Sequence, residues 1–296
     1  MSVRPFIKWA GGKSQLLPEI RNNYPDQLGK TITKYCEPFI GGGAVFFDIV
    51  SNYSIKEILI NDINSELINT YTQIKINLKY LVMELSLIQN EYWLLETESR
   101  KEFYYEKRER FNYLKINGSE TVNVEKAVLF IFLNKTCFNG LFRVNKKGLF
   151  NVPIGSYKKP LICDIDNLKL INELLKKVTI KCGDYKDCID FIDENTFVYI
   201  DPPYRPLTET ASFNSYSETD FNDKEQIELG KFVDMITLKN AKVVLSNSDP
   251  KNIKETDTFF DDLYSQYKIE RVSAKRMINS QAGGRGNISE LLISNY

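Results

Sequence analysis

The sequence predicts an α/β fold with a mostly parallel sheet, and three observations favour it. Short apolar runs typical of strands recur along the chain, helical patterns lie between several of them, and a glycine-rich turn follows the first run. The chain has 296 residues, of which 43% are hydrophobic and 26% charged. It is therefore long enough for a large domain and a smaller one, each with a real core.

Seven apolar runs are predicted to form the sheet. No long helical segment separates the last two, so we expect them to pair antiparallel at one edge. The runs are KYCEPF (34–39), EILIN (57–61), VTIKC (178–182), TFVYI (196–200), KVVLS (242–246), KIERV (268–272) and ELLISNY (290–296).

Two helices have clear local signals. The segment AVFFDIVSNY follows the glycine-rich turn directly. Residues 222–239 carry apolar side chains with the i, i+3, i+4, i+7 spacing of one helix face. Asn222 is a suitable N-cap for this second helix, and Glu225 is a suitable acid at its N3 position.

The regular alternation of strands and helices is interrupted in the middle of the chain. Residues 64–135 contain only helical patterns, and the following segment FNGLFRVNKKGLFNVP is predicted to be a β-hairpin that turns at NKKG. We therefore predict an inserted domain at 64–157. The α/β domain is then formed by 1–63 and 158–296.

Composition excludes several kinds of chemistry. The sequence has no histidine, which rules out Ser-His-Asp and Cys-His nucleophile systems and histidine-ligated zinc. Its five cysteines are odd in number and lack CxxC spacing, so we expect a reduced, cytoplasmic setting. No apolar run approaches the roughly 18 residues of a membrane span, and the first residues lack the apolar region of a signal peptide.

Charge is balanced overall but uneven locally. The net charge is zero, yet no acid occurs between Glu125 and Asp164, or from Arg271 to Ser289. Each stretch is either a candidate anion-facing surface or a set of solvated cations. The first contains Lys126, Lys135, Arg143, Lys146, Lys147, Lys158 and Lys159; the second contains Arg271, Lys275, Arg276 and Arg285.

A glycine-rich turn and an acid after the next strand indicate a nucleoside-containing ligand. Gly41 and Gly43 follow the first predicted strand, where glycine lets a ligand approach the backbone closely. Asp62 follows about 20 residues later, the spacing at which an acid reaches a ribose diol. Phe46 occupies the third glycine position of the dinucleotide pattern, which argues against a dehydrogenase.

The segment DPPY, 201–204, lies at the predicted carboxyl end of the strand TFVYI, where ligands of open α/β sheets bind. Its two prolines fix the backbone and remove two N–H donors. The Asp201 carboxylate and the Pro202 carbonyl can accept the two hydrogens of a planar amine, while Tyr204 stacks on its ring. The alternative is a proline turn with a solvent-facing aspartate.

Taken in order, these motifs resemble those of the Dam-type (alpha-class) DNA adenine-N6 methyltransferases. The resemblance rests on KWAGGK, EPFIGGGAVFF, IND, FNGLFRVNKKGLFNVP, DPPY and RGNISELLISNY and covers nearly the whole chain. It implies a Rossmann-like methyltransferase sheet, mostly parallel with an antiparallel C-terminal strand, and an inserted DNA-recognition domain of helices and a β-hairpin. It also implies methyl transfer from S-adenosylmethionine to adenine N6, without a metal ion.

The resemblance assigns roles residue by residue. Catalysis falls to Asp201, Pro202 and Tyr204. Contacts with the cofactor fall to Trp9, Lys13, Phe39, Gly41, Gly43, Asp62, Asp184 and Asp201. Contacts with DNA fall to Lys8, Phe138, Asn139, Leu141, Arg143, Pro153 and Tyr157, with Arg143 reading a guanine edge.

The resemblance further implies double-stranded DNA containing GATC as the substrate, base flipping, and a monomer in a prokaryotic or phage-infected cell. A cognate restriction endonuclease is a possible partner of such an enzyme. The polar segment 205–220 is expected to close over the flipped base. Two alternatives remain open: methylation of another exocyclic amine, such as RNA adenine or cytosine N4, and a non-catalytic DNA-binding protein.

Overall fold

A computed structural model of the chain describes residues 3–118, 123–205, 221–275 and 287–296. The strands are β1 (Lys34–Glu37), β2 (Glu57–Asp62), β3 (Val178–Cys182), β4 (Thr196–Ile200), β5 (Lys242–Ser248), β6 (Lys268–Lys275) and β7 (Asn287–Ser294). The helices are α1 (Leu17–Arg21), α2 (Ala44–Asn52), α3 (Ser65–Ile76), α4 (Leu78–Leu94), α5 (Thr97–Asn117), α6 (Val124–Thr136), α7 (Ile165–Leu175), α8 (Asp223–Leu238) and α9 (Phe259–Leu263).

The sheet has the predicted mixed α/β topology. Its strand order is β3-β2-β1-β4-β5-β7-β6. Strand β1 pairs in parallel with β2 and β4, and β4 pairs in parallel with β5. Strand β7 pairs antiparallel with both β5 and β6. The mostly parallel sheet with its antiparallel C-terminal part is thus confirmed, and the carboxyl ends of β1, β4 and β5 lie at one edge.

Local sequence signals explain why these elements start where they do. Helix α8 begins with a complete capping box, in which Asn222 accepts from the first turn and Glu225 accepts from the N–H of Asn222. Strand β4 is buried along its whole length, as its apolar run predicts. Helices α3 to α6 confirm the helical character of the middle of the chain.

The predicted hairpin reverses the chain without forming regular strands. Val144 and Phe150 form an isolated antiparallel bridge, and Gly148 donates to the carbonyl of Asn145 to close the turn. Two backbone hydrogen bonds flank this bridge, and side chains of α5 bond further backbone groups of the hairpin. Asn112 both donates to and accepts from the backbone of Phe150, and the Tyr104 hydroxyl donates to the carbonyl of Val152.

By its internal contacts the chain divides into two compact units. The first unit comprises Met1–Gly12, Gly41–Ser51 and Asp62–Gly183; the second comprises Lys13–Ile40, Asn52–Asn61 and Asp184–Tyr296. The core of the second unit packs side chains of β4 and β5 against α8, with Val198, Leu229 and Leu245 almost fully buried. Within the described ranges, no helix has both the length and the apolar character needed to cross a membrane.

Candidate functional site

Asp201 follows β4 directly and is held by a buried cation and a buried hydroxyl, all within the second unit. Its Oδ1 lies 2.7 Å from Nζ of Lys13 and accepts a 3.0 Å hydrogen bond from Ser246. The side chain of Lys13 is only 4% exposed. Ser246 lies on the neighbouring strand β5, and its hydroxyl is also hydrogen-bonded to that of Tyr199. One oxygen of the carboxylate is therefore fixed in place.

Tyr204 extends this cluster to a second carboxylate. Its hydroxyl accepts from Lys13 at 2.8 Å and donates to Oε2 of Glu290 at 2.5 Å. Burial, followed by the charges of Asp201 and Glu290, holds the pKa of Tyr204 well above its usual value. Burial also raises the pKa of Glu290, although Lys13 and the hydrogen bond from Tyr204 oppose the rise. Tyr204 therefore remains a neutral donor in this cluster.

The proline turn leaves two acceptors for an outside donor. The carbonyl of Pro203 is bonded by the buried side chain of Gln226 at 3.1 Å, and Asn247 in turn donates to Gln226. Among the described residues, no donor bonds to Oδ2 of Asp201 or to the carbonyl oxygen of Pro202. These are the two acceptors that the sequence predicts for a planar amine.

The second unit contains aromatic and acidic residues that come shortly after the ends of β1 and β3 in the sequence. Phe39 stacks on Tyr185 with ring centroids 5.3 Å apart and an angle of 29° between the planes. Asp184 precedes Tyr185 and caps the short helical turn 185–188 by accepting from the N–H of Lys186. Its side chain is otherwise solvent-exposed and available to an outside donor.

In the first unit, Asp62 and the glycine turn lie together, as their spacing predicts. The Asp62 carboxylate accepts from the backbone N–H of Gly41 and of Asn64, each at 3.0 Å. Burial raises the pKa of Asp62, while these backbone N–H groups act in the opposite direction. Gly41 and Gly43 adopt left-handed conformations, with φ of 45° and 71°. The turn therefore requires glycine at both positions.

Trp9 lies against this turn in the first unit. A Cβ atom added to Gly41 would lie 2.8 Å from Cδ1 of Trp9, a distance that real Cβ atoms essentially never show. The other neighbours of the indole are Phe142, stacked at 5.8 Å and 21°, and Phe130 at 6.2 Å. Trp9 therefore connects the glycine turn to the hairpin.

The first unit also brings Lys8 onto the FNG turn before the hairpin. The side chain of Asn134 bonds both backbone groups of Lys8 and the carbonyl of Gly140. Gly140, at φ 66°, leaves room for the aliphatic chain of Lys8, which a Cβ atom would meet at 2.5 Å. The ammonium of Lys8 donates to the hydroxyl of Tyr157 and lies 4.6 Å from its ring centroid.

The predicted DNA-contacting residues gather around this turn. Phe138 is 52% exposed, and its N–H donates to the carbonyl of Pro153, while Asn139 is exposed in a left-handed conformation. Nε of Arg143 donates to the side chain of Asn151 at 2.9 Å, which holds that end of the guanidinium on the hairpin. In the described part of the chain no acceptor bonds its two terminal nitrogens. They form a fork suited to two acceptors on one edge.

The predicted site residues thus divide between the two units. The first unit holds Lys8, Trp9, Gly41, Gly43, Asp62, Phe138, Asn139, Leu141, Arg143, Pro153 and Tyr157; the second holds Lys13, Phe39, Asp184, Asp201, Pro202 and Tyr204. The expected closing segment lies outside the described residues, apart from Arg205. That residue is paired with Asp223 and Asp257.

Sequence reasoning missed Ser246 and Glu290. Ser246 ends its predicted strand and Glu290 begins another, and neither position carries a local signal of a shared site. The sequence also left two alternatives for the stretch that contains Arg271, an anion-facing surface or solvated cations. The anion-facing alternative is wrong for Arg271, because its guanidinium is paired with Asp249 and Asp261.

The sheet and the Asp201 cluster are those of an α/β protein whose candidate ligand site lies at the carboxyl ends of parallel strands. Residues 9–278 match the model of the D12 class N6 adenine-specific DNA methyltransferases. The chain is 48% identical to the type II methyltransferase M.MjaIII of Methanocaldococcus jannaschii over 298 residues, covering 100% of both chains. It is 36% identical to the type II methyltransferase M1.LlaDCHI of Lactococcus lactis subsp. cremoris, covering 100% of this chain and 96% of the relative. It is 34% identical to the DNA adenine methylase of Escherichia coli K12, covering 98% and 94%.

The chain belongs to the D12 class of N6 adenine-specific DNA methyltransferases. The resemblance seen in the sequence is thereby confirmed. Membership makes the chain an adenine-specific DNA methyltransferase, with DNA as its substrate. It also implies S-adenosylmethionine as the methyl donor.

Proposed function

We propose that this methyltransferase flips the adenine of GATC out of duplex DNA and methylates adenine N6 in the site that contains Asp201. The observation that carries the proposal is the arrangement of acceptors after β4. Lys13 and Ser246 hold Oδ1 of Asp201, while Oδ2 and the Pro202 carbonyl have no donor among the described residues. An exocyclic amine has two N–H groups, and this pair of acceptors matches them.

The acceptors explain how an unreactive amine becomes a nucleophile. The lone pair on adenine N6 is delocalised into the ring. Hydrogen bonds from both N–H groups to Asp201 and Pro202 localise that lone pair and stabilise the positive charge that develops on nitrogen. The bound cofactor supplies an activated methyl group. No side chain of histidine type is needed before attack, which agrees with the absence of histidine.

The residues present fit S-adenosylmethionine. The Asp62 carboxylate accepts two backbone hydrogen bonds and has lone pairs left for ribose hydroxyls. Because Gly41 has no side chain, the space between its backbone and the indole of Trp9 stays open, and a Cβ atom would fill it. We propose that Trp9, Gly41, Gly43 and Asp62 bind the cofactor. The cofactor contacts that the resemblance assigns to Lys13, Phe39, Asp184 and Asp201 complete the proposal, with Asp184 facing the adenine moiety.

The target base has to leave the helix, because its amine is not reachable in a stacked duplex. We propose that Tyr204 stacks on the flipped adenine, and that the exposed ring of Phe138 fills or flanks the space that the base leaves. The backbone N–H of Phe138 donates to the carbonyl of Pro153, and this hydrogen bond fixes the backbone that carries the exposed ring.

Recognition of GATC is assigned to the hairpin. Arg143 would read O6 and N7 of a guanine with its terminal nitrogens, since Asn151 already holds its Nε. Lys8 and Tyr157 would contact a base edge or its phosphate. Asn139, Leu141 and Pro153 would supply the neighbouring contacts. The relatives named DNA adenine methylase support adenine in DNA as the target.

The central test uses Asp201→Ala, with the exposed Asp26→Ala as a control of equal charge. We expect Asp201→Ala to transfer no labelled methyl group to a GATC duplex while still binding it, and Asp26→Ala to match the wild type. The wild type is also offered duplexes with one base of GATC changed, and single-stranded RNA. Equal methylation of the changed duplexes would contradict GATC specificity, and preferred methylation of RNA would contradict the DNA assignment.

Two relatives are named type II methyltransferases, which supports a place in a restriction-modification pair. We propose that this chain acts as a monomer in the cytoplasm and protects its sites from a cognate restriction endonuclease. Digestion of DNA from cells that express the chain tests this. Nucleases that distinguish methylated from unmethylated GATC should find the sites methylated, and cleavage as in control cells would contradict the proposal.

A further inference from the structure

Glu290 is a carboxylate in a place where carboxylates are rare. It lies on β7, between β5 and β6, opposite Ser248 and Val272, and is 7% exposed. The next residues of the strand, Leu291 and Leu292, are almost fully buried. Burying a charged group in such surroundings costs free energy unless a partner compensates. In the described chain, its hydrogen-bonding partner is the hydroxyl of Tyr204.

The Tyr204 side chain is held at both ends. Pro202 and Pro203 restrict the backbone that precedes it. At the far end of the ring the hydroxyl accepts from Lys13 at 2.8 Å and donates to Glu290 at 2.5 Å. A phenol with both its donor and its acceptor functions engaged cannot pivot without breaking a hydrogen bond. The plane of the ring is therefore fixed.

Glu290 also determines where the phenol proton points. The Tyr204 hydroxyl and Oδ1 of Asp201 both lie within hydrogen-bonding distance of the same ammonium, that of Lys13. Without Glu290, the Asp201 carboxylate becomes the nearby acceptor for that proton. A hydroxyl bonded to Oδ1 of Asp201 would draw negative charge from the carboxylate and weaken Oδ2 as the acceptor for the target amine.

We propose that Glu290 is a positioning residue for methyl transfer, one that holds the Tyr204 hydroxyl, fixes the ring plane and keeps the phenol proton away from Asp201. This inference rests on the proposed function, in which the target adenine stacks on Tyr204. Glu290 touches neither the base nor the cofactor in this scheme. It acts through Tyr204.

The test compares Glu290→Met, which keeps the volume but removes the strong acceptor, with Glu290→Gln, which keeps an acceptor oxygen. Glu290→Met should lose on the order of 10- to 100-fold in kcat, as misplaced reacting groups do. Glu290→Gln should keep most of the wild-type kcat. S-adenosylmethionine affinity, measured by calorimetry, should be unchanged in both. The fluorescence of 2-aminopurine at the target position should report a less ordered flipped base in Glu290→Met.

Tyr204→Phe provides the second half of the test, because it removes the hydroxyl and keeps the ring. If Glu290 acts through that hydroxyl, the double variant should be no slower than the slower single variant. Glu270→Ala is the control, since Glu270 is a carboxylate of the adjacent strand that bonds Asn23 and Lys268. It should leave kcat at the wild-type value.

Three results would overturn the inference: an unchanged kcat in Glu290→Met, multiplied losses in the double variant, or a Glu290→Gln loss equal to that of Glu290→Met. If Glu290→Met does not fold, Tyr204→Phe decides, and an unchanged kcat there overturns the inference. Failure of the proposed function looks different, because the wild type itself would then transfer no methyl group to adenine in the duplex.

Discussion

Replacing Gly41 by alanine tests the close approach of Trp9 to the glycine turn. Gly41 has a φ of 45°, and its new Cβ would lie 2.8 Å from Cδ1 and 3.1 Å from Nε1 of Trp9. The indole cannot retreat freely, because it stacks on the buried ring of Phe142. The backbone cannot shift freely either, because the N–H of Gly41 bonds Asp62 and its carbonyl accepts from Tyr71.

The expected cost combines two contributions. The left-handed conformation costs an L-residue about 1–2 kcal/mol, and losing one aromatic pair costs about 0.5–1.5 kcal/mol. The free energy of unfolding should therefore fall by about 1.5–3.5 kcal/mol. If Trp9 contacts the cofactor as proposed, loss of that contact should weaken S-adenosylmethionine binding by about tenfold, the equivalent of 1.4 kcal/mol.

Denaturant unfolding and calorimetric titration of the cofactor measure the two effects separately. Gly42→Ala is the matched control. Gly42 is not left-handed, and its Cβ would meet Cβ of Trp9 at 3.2 Å, which a small shift relieves. If Gly41→Ala is as stable as Gly42→Ala and binds the cofactor equally well, both the strain argument and the placement of Trp9 are refuted.

Three further predictions concern readout, capping and pH. Arg143→Ala should reduce discrimination at one guanine by about 1–3 kcal/mol in competition binding; a uniform loss over all sequences would make it a phosphate contact. Asn222→Ala should lower the free energy of unfolding by about 0.5–2 kcal/mol, because it removes the cap of α8; unchanged denaturant unfolding would contradict this. Burial, with Lys8 and Arg4 nearby, lowers the pKa of Lys135 to about 8 against the opposing effect of Asp164. The folded state therefore binds the Lys135 proton more weakly than the unfolded state does. The contribution of neutral Lys135 to the free energy of unfolding is present above the unfolded pKa of about 10.4, and it is lost as pH falls through the folded pKa of about 8. Relative to Lys135→Met, the wild type should gain stability between those values in denaturant unfolding, and a constant difference would refute the assignment.

Local signals made much of the fold predictable. The cap of α8 could be predicted because Asn222 and Glu225 satisfy each other's backbone within one turn. Similarly, a strand followed by glycines and an acid about 20 residues later predicted that Gly41 and Asp62 serve one nucleoside ligand. The two residues are in contact, because β1 and β2 are parallel neighbours. These features depend on short segments whose own chemistry determines their structure.

Long-range hydrogen bonds made the rest unpredictable. Glu290 and Tyr204 are 86 positions apart, and no local pattern links them. A single acid in an apolar strand fits an exposed edge position as well as a buried partner. The hairpin shows the same limit, because side chains of Asn112 and Tyr104 bond its backbone from 38 and 48 positions away.

Because the sequence has no histidine, the Asp201 cluster has to activate the amine without a histidine base. Under the proposed function, catalysis depends on hydrogen-bond acceptance, and an acceptor helps only if it is already aimed at the amine. Two hydrogen bonds of the second unit hold these acceptors in place. Ser246 donates to Oδ1 of Asp201, and the side chain of Gln226 donates to the carbonyl of Pro203. Losing either brace would leave all the reacting groups present but poorly aligned. Such variants should therefore lower kcat more than they weaken binding of DNA or cofactor.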